Sequence, residues 1–110
     1  MIITTSSQIA GFKIVKTLGL VRGNTIRARS IAKDIVAGIK NLIGGEIEEY
    51  TKLLAESREQ ALDRMKDHAE TLGANAIVDI RFSTSEVMQA AAEILAYGTA
   101  VIIEAEKNQP

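Results

Sequence analysis

Ala92-Glu93-Ile94-Leu95-Ala96-Tyr97-Gly98-Thr99-Ala100-Val101-Ile102-Ile103-Glu104 decides how this chain of 110 residues folds. Both alternating sets of the stretch are largely apolar: Ile94, Ala96, Ala100 and Ile102 on one side, Leu95, Tyr97, Val101 and Ile103 on the other. A strand apolar on both faces must be covered on both faces. The segment before it behaves differently. From Asn75 to Val87, Ala76, Val78, Ile80 and Phe82 point one way while Asp79, Arg81, Ser83 and Ser85 point the other, the period-two pattern of a strand with one buried face. Upstream, Phe12 to Arg29 carries β-branched and apolar residues and reads as one long or broken strand. Gly19 and Gly23-Asn24 mark its bulge, bend or turn. Ile2 to Thr4 is a further short strand candidate.

Between these strands lie two helical patterns. Ser30 offers an N-cap to a stripe of Ile31, Ile35, Ile39 and Leu42, and Gly44-Gly45 stops that helix. A second helix begins at Glu46, Glu48 and Glu49, whose charges suit the positive end of the helix dipole. Ile47, Tyr50, Leu54, Ala61, Met65, Ala69 and Leu72 form its apolar stripe, and Gly73 supplies the left-handed cap. The order strand, helix, helix, strand, strand predicts an α+β domain in which an antiparallel sheet carries both helices on one face. The other face, with Leu95, Tyr97, Thr99, Val101 and Ile103 beside Asp79 and Arg81, is too apolar for water and too polar for an ordinary core. A symmetric contact between subunits resolves that conflict, because interfaces tolerate the mixture.

Composition narrows the chemistry. With 46% hydrophobic and 25% charged residues the chain reads as a single globular domain spanning 1–110, its tail from 105 to 110 fraying. Thirteen basic against fourteen acidic residues leave no long-range attraction to a polyanion. The local cluster of Arg22, Arg27, Arg29 and Lys33 lacks interleaved aromatics, so no nucleic acid partner is expected. No apolar run is long enough to span a bilayer, and the first residues lack a leader pattern; no membrane partner and a cytoplasmic location are expected. The absence of cysteine removes disulfides, thiolate catalysis and zinc–thiolate sites together.

Four residues stand out as site candidates. His68 is the sole histidine and would ligate a metal only with carboxylates or symmetry mates beside it; otherwise it favours the helix dipole. Arg58 falls near the centre of the second helix's apolar stripe, where a charge needs an anionic ligand or a buried acid such as Asp79 or Glu104. Its replacement by alanine is therefore expected to cost about 1–4 kcal/mol. Asp79 and Arg81 lie two apart on one strand face and could neutralise each other or bind a ligand. No nucleophile stands in an evident pairing with a base, so no enzymatic activity is expected.

Gly19-Leu20-Val21-Arg22-Gly23, Gly44-Gly45 followed by Tyr50, Arg58 with Ala61, Leu72-Gly73-Ala74-Asn75-Ala76 and Tyr97-Gly98-Thr99-Ala100-Val101 together resemble the YbjQ-like family, labelled heavy-metal-binding. The resemblance extends from Ile2 to about Glu104. It implies a dodecin-like α+β subunit whose partner is itself, in a ring of five. The cofactor stays unknown, with a divalent metal ion as one option: an ion bound by such a ring is expected to be hard or borderline, held by acids that symmetry brings together. Soft metals favour thiolate and imidazole, and this chain has no cysteine and one histidine. The alternative expectation is a ring that binds a small anion or serves a structural role without metal.

Overall fold

The computed structural model describes residues 1–27, 45–88 and 91–107. Four strands and one helix are present among them: β1 (Ile2–Ile3), β2 (Phe12–Arg27), α1 (Gly45–Thr71), β3 (Ala76–Met88) and β4 (Ala91–Ala105). The helix expected over Ser30 to Ile43 lies outside the described residues, as do Arg29 and Lys33 of the basic cluster. The strands form one sheet in the order β1-β3-β4-β2. β4, apolar on both sides, takes an interior position with an antiparallel neighbour on each edge. The sheet is mixed, not purely antiparallel, because β1 joins β3 in parallel, Ile2 beside Ala76 and Ile3 beside Ile77.

β2 is a single strand of 16 residues with no turn at Gly23. Its register against β4 shifts between Ile14 and Lys16 and between Thr17 and Gly19, so Gly19 marks an irregularity, as expected. Gly23 serves another purpose: a Cβ there would overlap the carbonyl oxygen of Ala61 and the amide nitrogen of Met65. The helix backbone lies directly on the strand, and only glycine leaves room for it. Small helix residues complete the approach, with Ser57, Ala61 and Ala69 fully buried beside Met65. Thr25 closes the seam by donating its hydroxyl to the Ser57 carbonyl at 3.2 Å.

α1 ends as its sequence predicts. Ala74 N–H donates to Ala69 O and Gly73 N–H to Glu70 O, with Gly73 at φ 83°, which together make a Schellman cap. Asn75 then works as a short extra strand: its Nδ2 donates to Ile103 O at 2.9 Å and its Oδ1 accepts from Ile103 N–H at 2.7 Å.

β3 departs from clean alternation. Val78 stands opposite Thr99 but Arg81 opposite Tyr97, so one extra residue is accommodated between them. Asp79 takes it up at φ 55°, a left-handed conformation that Asp tolerates better than most side chains. Ile77 and Ile80 consequently pack with Val21, Met65, Ile94 and Ala100 in the core beneath α1, whereas Ala76 and Val78 pack with Val101 and Ile103 on the opposite face. The sequence pattern had placed Ala76, Val78 and Ile80 together; the bulge separates them.

The face away from α1 is closed at one end by the chain itself. Ile9 and Phe12 pack on Ala76, Val78, Val101 and Ile103. Pairing reaches past the expected start of the tail, through Ala105 opposite Phe12 and Glu106 N–H to Gly11 O at 2.9 Å.

Candidate functional site

The residues singled out from sequence fall at two separate places. Asp79 and Arg81 meet at the β3 bulge, where the hydroxyl-rich loop of Thr4 to Ser7 wraps the sheet edge. Asp79 N–H donates to Ser6 O and Ile80 N–H to Thr4 O, so the loop holds the bulge by its backbone. The Ser7 hydroxyl donates to Asp79 Oδ1 at 2.8 Å. Arg81 turns outward and donates from Nη1 to Thr5 O and to Ile80 O, both at 2.8 Å. The two side chains thus serve the loop instead of pairing with each other, and the one ion pair among the described residues joins Lys66 to Asp63 on the exposed side of α1.

Gly98 makes this bulge sterically feasible. A Cβ on it would lie 2.9 Å from Ile77 Cγ2, 3.0 Å from Val78 O and 3.1 Å from Ile80 Cγ1. Sequence reading missed that role, although a glycine inside a strand is a recognised sign of close backbone approach.

Arg58 does not occupy the buried stripe. It is exposed, and Ser57, one position earlier, is the residue turned inward. The buried stripe differs from the apolar one because the helix meets β2 through its smallest side chains, Ser57, Ala61 and Ala69, beside Met65. Leu72, assigned to the same stripe, is likewise exposed. Arg58 therefore needs no buried acid, and the structure does not bring it together with the bulge that holds Asp79 and Arg81.

His68 faces the sheet. Its Nδ1 accepts the backbone N–H of Arg22 at 3.2 Å. One turn away, Arg64 Nη1 donates to Asn24 O at 2.6 Å. β2 is an edge strand among the described residues, so both contacts occupy backbone groups on its outer side that no other described strand takes up. Accepting at Nδ1 leaves the ring proton of neutral His68 on Nε2. A metal needs an unprotonated nitrogen, so ligation here would require displacing the Arg22 N–H or moving the proton. No group of three or more His, Cys, Asp or Glu side chains comes together among the described residues. Together with the absence of cysteine, this donor set does not fit a soft metal ion.

What the rest of the sheet face away from α1 presents, among the described residues, follows from the pairing. Residues opposite each other share a face, so Leu20, Arg22 and Ile26 of β2 lie on the same side as Thr99, Tyr97 and Glu93 of β4. Leu20 is 65% and Ile26 57% exposed, and Leu95 and Tyr97 are half-buried between the outer strands. Asn24 Nδ2 donates to Glu93 Oε2 at 2.9 Å on this surface. Arg22 and Arg81 are the partners of Tyr97 on either side. No helix among the described residues is long and apolar enough to cross a membrane.

The resemblance seen in the motifs extends through the chain. Residues 1–104 match the profile of the YbjQ_1 family, described as "Putative heavy-metal-binding". A UPF0145 protein of Dehalococcoides mccartyi is 60% identical over 104 residues, covering 94% of this chain and 100% of that protein. A UPF0145 protein of Methanoculleus marisnigri is 54% identical over 101 residues, covering 92% of this chain and 94% of that protein. In structure, the chain is similar to a protein of unknown function from Pediococcus pentosaceus that belongs to the DUF74 family, with a TM-score of 0.62 at 20% identity, covering 94% of this chain and 98% of that one. That likeness establishes the shared fold, and the sequence relationships establish the kinship: this chain belongs to the YbjQ-like family of UPF0145 proteins.

Proposed function

We propose that this protein is a non-catalytic, self-assembling subunit of the ring of five implied by the family resemblance, and that it does not act as a soft-metal carrier. The observation that carries the reading is the sheet face that the described residues cover over only half its length. Ile9 and Phe12 cover its Val101–Ile103 end, while Leu20 and Ile26 stand exposed around Tyr97 at the other. Exposed Leu20 and Ile26 beside half-buried Leu95 and Tyr97, with Arg22, Asn24 and Glu93 among them, have the mixed character that interfaces tolerate. The dimensions of the protomer point the same way: it measures 65 × 27 × 16 Å, with a radius of gyration of 18.0 Å. A compact domain of this length has a radius of about 13 Å. An elongated protomer with an apolar sheet face gains burial by packing on copies of itself.

Multi-angle light scattering at micromolar concentration tests assembly, with five copies expected; a monodisperse monomer would overturn it. Isothermal titration with cadmium and zinc tests the metal half, on the wild type and on His68→Ala. Submicromolar cadmium binding by the wild type would restore the heavy-metal reading.

A further inference from the structure

We draw no further inference here: the strongest candidate, the sheet face around Tyr97 flanked by Leu20, Arg22 and Ile26, is the surface already read as a contact between copies, and nothing in the structure shows what covers it.

Discussion

Arg58 and Gly23 show how far a single residue's environment can differ from what its spacing suggests. At helical period Arg58 sits among apolar neighbours, yet its side chain is exposed and Ser57 fills the buried position. Arg58→Ala should therefore change stability by no more than about 0.5 kcal/mol, the usual effect at the surface, in place of the larger loss expected from sequence. Urea denaturation followed by circular dichroism measures this. Gly23→Ala should be among the most damaging substitutions in the chain, because the new Cβ meets helix backbone at Ala61 and Met65, which cannot rotate away. Overpacking of this kind costs about 3 kcal/mol, and the same denaturation series would show it as a lower midpoint. A variant as stable as the wild type would mean that the helix does not lie directly on β2.

At the scale of elements, β3 is the instructive case. Its sequence alternates as a one-sided strand, and that much is correct up to the point where the residue at 79 adopts φ 55° and shifts everything after it. Asp79 falls in phase with the other polar positions of the alternation, so periodicity does not mark the bulge, and the signal resides on the neighbouring strand, in Gly98. Gly98→Ala should accordingly lower stability by about 1–3 kcal/mol. The Ile77 and Ile80 methyls can give way to the added Cβ, but the Val78 carbonyl cannot. Thermal unfolding distinguishes the two outcomes: a melting temperature equal to that of the wild type would show that the bulge relaxes freely. α1, by contrast, was legible almost to the residue. Its acidic start, long amphipathic run and Gly73 stop are local features, and the observed helix runs from Gly45 to Thr71.

For the whole molecule, the sheet face around Tyr97 is the part that the described residues leave uncovered. If it is buried between copies, Leu20→Glu should reduce the copy number seen by light scattering while leaving the unfolding free energy of the dissociated protomer within about 0.5 kcal/mol of the wild type, because an exposed side chain of one copy carries little of that copy's own stability. An unaltered copy number would place the contact elsewhere on the surface. By itself, the sequence determined the α+β class, the long helix and its cap, the two-sided apolar pattern that suits β4 to the sheet interior and the absence of thiolate donors, all of which depend on residue type or on periodicity along one segment. Tertiary structure decided what depends on contacts between distant segments. The parallel addition of β1, the packing of Gly23 under the helix, the engagement of His68 Nδ1 by Arg22 and the closure of half a sheet face by Ile9 and Phe12 each join residues far apart in the chain. Periodicity within one segment carries no information about which other segment will supply its partner.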